Sequence, residues 1–321
     1  MKDIKVLTVR SEIAAGTRGA GMGIDALIVA SLGQHSSFFN ENTIQNIDDV
    51  NNILFKNNNF LNAKHIDGVL TMLKRVSNNT YDTLAGGQTP IVLAGDHSTA
   101  AGTISGIKQA YPNQRLGVIW IDAHADFHSP YTTPSGNMHG MPLSMVTYVD
   151  NTEEGVNSPN QETIEYWEEI KKVGTKEAKV KPEDIVFIGV RDTEGPEDVI
   201  LDKFGIRNIS VDEVRKNGPE VMANDALNIL KECDMIYISF DVDSMDPTIS
   251  KGTGTPVANG LTVEEALAIN KTLVADEKVI CWEMVEVNPT LDQNNIMANN
   301  AFKILNETVK SLKGKSISLV G

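Results

Sequence analysis

Six short apolar runs are spaced along the chain: Ile4–Val9, Ile91–Ala94, Leu116–Ile121, Ile185–Val190, Met235–Phe240 and Val279–Val287. None alternates polar with apolar as a strand with one wet face would. Runs of this length and texture predict strands covered on both sides, as in a parallel sheet. Between them the period lengthens. In GLTVEEALAINKTL, Thr262 and Glu265 form a capping box ahead of an apolar face containing Leu267 and Leu273. Near the end, Phe302, Leu305, Val309 and Leu312 recur at helical spacing. Strands alternating with helices predict a doubly wound α/β sheet. The stretch Asp150–Pro159 and the Asn-rich NNFLN and NIDDVNN segments read as loops. None is long enough for a linker, so residues 1–321 are expected to form a single domain.

What stops the runs is more telling than the runs. Asp96 and His97 follow the second, Asp122, His124 and Asp126 the third, and Asp241, Asp243 and Asp246 the fifth. In an open α/β sheet, ligands bind outside the carboxyl ends of the strands. Side chains at i, i+2 and i+4 of an extended segment share a face. Asp122, His124 and Asp126 can therefore converge on one point, and Asp241 with Asp243 can meet them from a neighbouring strand.

Such a gathering is costly if left alone. Two carboxylates about 4 Å apart repel by roughly 4 kcal/mol at an effective dielectric near 20. Four acids make six pairs, so the bare ionised cluster costs on the order of 10 kcal/mol. Either the acids take up protons or cations sit between them, and lysine and arginine are scarce in these segments. The imidazoles of His97 and His124 with the carboxylates of Asp122, Asp126, Asp241 and Asp243 exceed what one tetrahedral zinc uses. An oxygen-rich set with some imidazole suits manganese or another octahedral divalent ion, and bridging carboxylates let six residues hold two ions. Phe127 and Asp246 stand where a calcium loop needs its turn glycine, which excludes an EF-hand. Taken singly, each cluster also reads as N-caps and turn-forming Asp; D-x-H-x-D, G-D-H and D-x-D together argue for metal.

The formal net charge of −15 opposes contact with nucleic acid or an anionic membrane and suits a small cationic ligand. Two cysteines, Cys233 and Cys281, sit beside apolar runs and predict buried inert thiols in a reducing compartment. The N-terminal residues lack a signal-peptide core, so a cytoplasmic protein is expected. GTRGAGMG (Gly16–Gly23) has Ile24 in place of the last glycine of a dinucleotide fingerprint, and KGTGTP (Lys251–Pro256) lacks the G-K-[ST] of a phosphate loop; both read as tight turns. His35 and His65 lie outside the clusters. His139, in the glycine-flanked SGNMHG, reads equally as a proton carrier beside a metal pair or as a loop histidine.

Together, RSEIAAGTRGAGMGIDAL, AGDHSTAAGTISG, IDAHADFHSP, TTPSGNMHG, IGVRDTEGPE, SFDVDSMDPTISKGTGTPVANGLT and EMVEVNPTLD span nearly the whole chain. They resemble the ureohydrolase superfamily and most closely its arginase family. The resemblance implies a three-layer α/β/α sandwich with a mainly parallel central sheet. It also implies two Mn2+ ions, with Co2+ or Fe2+ as alternatives, and a homo-oligomer, trimer or hexamer. On this likeness His97, Asp122, Asp126 and Asp241 hold one ion and Asp122, His124, Asp241 and Asp243 the other, with a bridging hydroxide as nucleophile. Glu286 would hold the substrate guanidinium, Asp126 would pass a proton to the departing nitrogen, and His139 would return protons to solvent. Thr133, Ser135 and Asn137 fall where the family holds an α-carboxylate, and Glu194 where an acid, usually Asp, faces the α-amino group. His128 stands where the family places Asn as a carboxylate donor. The implied reaction is hydrolysis of L-arginine to L-ornithine and urea. Agmatinase, formiminoglutamase or guanidino-acid hydrolase activity would share every ligand. A two-metal phosphoesterase would need cations near the clusters, and these segments offer none.

Overall fold

The computed structural model describes residues 3–314. Eight strands build one sheet: β1 (Ile4–Val9), β2 (Thr43–Ile47), β3 (Thr89–Ala94), β4 (Leu116–Ile121), β5 (Ile185–Ile188), β6 (Arg207–Ile209), β7 (Met235–Asp241) and β8 (Val279–Val285). Their order is β2-β1-β3-β8-β7-β4-β5-β6, and every pairing is parallel. All residues of β4 and β7 are buried, as expected of strands roofed on both faces.

Alternate side chains of these strands feed two separate cores. On one face Ile119, Ile121, Ile238, Phe240 and Trp282 pack against the helices Gly23–Gly33, Pro219–Ile229, Val263–Val274 and Ile296–Lys313. On the other, Val92, Val118, Trp120 and Tyr237 meet the helices Ile66–Ala85, Ala100–Ala110 and Gln161–Lys171. The result is the expected α/β/α sandwich. The capping box at Thr262 and Glu265 is present, and both cysteines are buried and unpaired. Among the described residues no helix is long and apolar enough to cross a membrane.

Two strands escaped the apolar pattern, and both lie at the sheet's edges. β2 (TIQNI) and β6 (RNI) each keep only one fully buried residue. An edge strand with a wet side needs no continuous apolar run, so its signal is weak. Part of NIDDVNN, read as loop, closes β2. The glycine-rich Gly16–Gly23 also differs from expectation. It runs into a 3-10 turn, Ala20–Met22, and the helix Gly23–Gly33 begins at once. Two strands end earlier than their apolar runs because the backbone turns left-handed, at Gly189 (φ 90°) and at Glu286 (φ 66°).

The chain turns one way after β4, toward β5 and β6, and the other way after β7, toward β8. The carboxyl ends of β4 and β7 thus flank the point where the winding reverses, the expected place for a ligand. The helix Ala100–Ala110, which begins just after His97, is held by close backbone contact with the helix Ile66–Ala85. A Cβ at Gly102 would lie 2.9 Å from Val76 Cβ, and one at Gly106 would lie 2.4 Å from the Ser77 carbonyl oxygen. Replacing Gly106 by Ala should therefore force the two helices apart and lower stability by about 1–3 kcal/mol, as overpacked interiors do. Chemical denaturation reads this as a lower midpoint at unchanged slope.

Candidate metal centre and substrate pocket

Four central strands, β3, β8, β7 and β4, deliver the polar residues. After β3 the carboxylate of Asp96 turns back into the protein. Its Oδ1 accepts from the Ser98 N–H (3.1 Å), and its Oδ2 accepts from the Ala14 N–H and the Ser11 hydroxyl (3.3 Å each). Burial pushes this carboxyl up to about 6. Asp96 thereby shapes the turn that aims His97 into the cleft. The His97 ring stacks on Trp120 (centroids 4.0 Å apart, 6° between planes), and its Nε2 lies 2.7 Å from Ser239 Oγ. With Nε2–H donating to Ser239, the Nδ1 lone pair faces outward to the acids.

There Nδ1 lies 3.1 Å from Asp122 Oδ2, 3.0 Å from Asp126 Oδ2 and 3.2 Å from Asp241 Oδ2. His124 Nδ1 lies 3.0 Å from Asp243 Oδ2 and 3.5 Å from Asp122 Oδ1. Backbone amides lock the acids in place. Asp122 Oδ1 accepts from His124 N–H (2.8 Å), Asp241 Oδ1 from Asp243 N–H (2.7 Å) and Asp243 Oδ1 from Ala123 N–H (3.2 Å).

Two groups emerge, His97–Asp122–Asp241 and Asp122–His124–Asp243. Within each, the candidate ligand atoms lie within 4.8 Å of one another. Asp122 belongs to both; Asp241 belongs to the first, and Asp126 stands beside it through its contact with His97. His97 Nδ1 and Asp122 Oδ2 are buried without a hydrogen-bond partner. Polar atoms in that condition are costly unless something else occupies them. Two orphaned donor atoms in an oxygen-and-imidazole cage fit a divalent cation.

The proton affinities agree. Burial raises Asp126, Asp241 and Asp243, and neighbouring carboxylates raise them further, Asp243 up to about 6. Asp122 goes down in spite of its burial because His124 and His97 flank it. Acids this strained hold their negative charge comfortably only beside a cation.

Above the cluster opens a cavity whose floor includes His124, Asp126, Asp241 and Asp243. Thr133, Ser135 and Asn137 line one part of it, and Asp192, Glu194 and Glu197 another. His128 touches the acidic part: its Nε2 lies 3.2 Å from Glu194 Oε2 and 3.6 Å from Glu197 Oε2, while Nδ1 lies 3.1 Å from Thr132 Oγ1. His139 also lines the cavity. Burial opposes its protonation, but Glu286 Oε1 at 3.4 Å outweighs that and moves its pKa up. Glu286 lies deeper than the lining. Its Oε1 accepts from His97 N–H (3.0 Å), and its own N–H donates to the Gly95 carbonyl (2.9 Å).

Three lining residues went unread in the sequence. Glu197 is buried, accepts from the Phe127 and Glu194 N–H groups (3.0 and 3.1 Å), and is pushed up to about 7 by burial. Its visible trace was the Glu194–Glu197 spacing of a helix cap. Thr255, whose hydroxyl donates to Asp243 Oδ2 at 3.1 Å, sits in the segment KGTGTP read as a plain turn. Asp192 Oδ2 lies 3.7 Å from His124 Nε2.

The sequence profile of the arginase family matches residues 2–310. The chain belongs to the arginase family. Arginase from Bacillus subtilis is 31% identical, covering 98% of this chain and 99% of its own length. Arginase from Brevibacillus brevis is 32% identical, over 95% and 96% respectively. The structure of arginase from Bacillus caldovelox superposes with a TM-score of 0.81 at 29% identity, over 99% of this chain and all of the other. This member of the arginase family is thus a hydrolase that acts on a guanidino group, and it carries Asp and His groups fit to bind metal.

Because Asp122 is common to both groups, Asp122→Ala should empty the centre, whereas Asp243→Ala should spare the group around His97. Elemental analysis of dialysed protein checks this. Chelation of the native protein should lower its melting temperature by linkage, and Asp122→Ala should not respond.

Proposed function

We propose that the chain hydrolyses L-arginine to L-ornithine and urea, and that two divalent ions, with manganese the first choice, sit in its Asp/His cluster. One observation carries the reading. In a chain of the arginase family, two potential metal groups share Asp122, and the orphaned donor atoms of His97 and Asp122 belong to the same groups as Asp241, His124 and Asp243, which line an acidic cavity. His97, Asp122, Asp126 and Asp241 would hold one ion and Asp122, His124, Asp241 and Asp243 the other. When bound, such ions lower the pKa of water into the neutral range and stabilise developing negative charge.

The remaining work falls to side chains. The acids of the cavity draw the guanidinium inward, and Glu286 gives its positive charge a buried counterpart. Water adds to the guanidinium carbon, and the bond to the side-chain nitrogen breaks. Asp126, whose carboxyl is raised, receives the water's proton and delivers it to the departing nitrogen. His139, between the cavity and Glu286, exchanges protons with solvent. Thr133, Ser135 and Asn137 meet the substrate carboxylate and Glu194 meets the ammonium; His128, at the position expected to donate to the carboxylate, lies against Glu194 instead.

A screen of the metal-replete protein against L-arginine, agmatine, formiminoglutamate and guanidinobutyrate tests this. L-arginine should give the highest kcat/KM; a better rate with any other compound would displace the arginine reading. Glu286→Gln should lower kcat/KM for L-arginine by about a hundredfold to a thousandfold, the usual scale for breaking a buried ion pair. Its metal content should stay unchanged.

A further inference from the structure

The cavity lining carries Asp126, Asp192, Glu194, Glu197, Asp241 and Asp243 and, among the described residues, no lysine or arginine. With Asp126, Asp241 and Asp243 matched by the ions they would hold, Asp192, Glu194 and Glu197 still attract an ammonium and repel the carboxylate of an amino acid. A cation stands behind the Asn137 side of the cavity. Lys64, in the loop ahead of the helix Ile66–Ala85, places Nζ 3.0 Å from Asn137 Oδ1. Its backbone N–H donates to the Gly136 carbonyl at 2.7 Å. Gly136 has φ +74°, and a Cβ there would lie 2.0 Å from the Leu61 carbonyl oxygen. The two loops are therefore pressed backbone to backbone, which keeps the ammonium at Asn137.

A lysine ammonium has donors and no acceptor, so the Asn137 atom that faces it is the carbonyl oxygen. Nδ2 is then turned away, toward Gly16, where an added Cβ would meet it at 2.7 Å. Held this way, the amide presents N–H donors on the side away from Lys64. Without the ammonium, nothing at this contact would prevent it from flipping and presenting its oxygen.

We propose that Lys64 is a specificity-determining residue: it orients the Asn137 amide as a donor and supplies the positive potential that lets an acid-lined cavity accept a substrate carboxylate. The proposal rests on the reading of the substrate as an α-amino acid. It is tested with Lys64→Met and Lys64→Arg in metal-loaded protein. Calorimetric titration with L-ornithine and with 1,4-diaminobutane, the same diamine without its carboxylate, is run beside urea release from L-arginine.

Lys64→Met should weaken L-ornithine about tenfold, the scale of one partly screened charge contact. It should raise KM for L-arginine by a similar factor, change kcat little and leave 1,4-diaminobutane unaffected. Lys64→Arg should restore most of the loss. If both ligands weaken equally, or neither does, Lys64 merely buttresses its loop and the inference is overturned. Wild-type protein that binds the diamine but not L-ornithine would overturn it together with the arginine reading.

Discussion

Everything at this site follows from mutual repulsion among acids that the fold does not allow to part. Asp122, Asp126, Asp241 and Asp243 are each buried or nearly so, and three of the four are raised in proton affinity. Amides two residues on hold Asp122 and Asp241, and the Ala123 amide at the neighbouring strand end holds Asp243. A flexible surface cluster would relieve such repulsion by moving into solvent. Here the carboxylates sit at or just past the ends of strands packed on both faces, so the strain persists until a cation enters.

The sheet makes that rigidity possible. The fully buried β4 and β7 lie side by side in parallel register, from Leu116 opposite Met235 to Ile121 opposite Phe240. Their ends therefore arrive at the same level, and Asp122 meets Asp241 without any long loop. Support continues behind the ligands. Trp120 stacks on the His97 ring, Ser239 fixes its tautomer, and Asp96 shapes its turn. Each of these residues constrains where a ligand atom sits rather than what reacts.

Around the centre, charge is distributed with a purpose. Glu194 and Glu197 form an acidic flank, and His128 lies against both. Asn137 lies on the neutral flank with Lys64 behind it. A molecule with a cation at its reacting end and both an ammonium and a carboxylate at the other finds a counterpart for each. The histidine at position 128 changes the acidic flank in kind, because it adds a ring that pairs with Glu194 instead of an amide.

The sandwich, its buried strands and the cluster at their ends were legible because each leaves a local trace. Continuous apolar runs such as Leu116–Ile121 mark two-sided burial, and D-x-H-x-D marks a strand end whose polar groups gather, although β4 stops at Ile121 and Asp126 joins through a left-handed backbone (φ 51°) rather than an extended face. Edge strands β2 and β6 left no such trace, since a strand with a wet side tolerates residues like those of TIQNI and RNI. Nor could spacing along the chain reveal that Glu197 turns inward at a helix start. The same holds for Thr255, bonded to Asp243, and for Lys64, which reaches Asn137 from 73 positions away. These contacts join segments distant in sequence, and their geometry depends on how whole layers pack. Local pattern carries the burial of each element; which polar groups meet across elements is set by the assembled sheet and its loops.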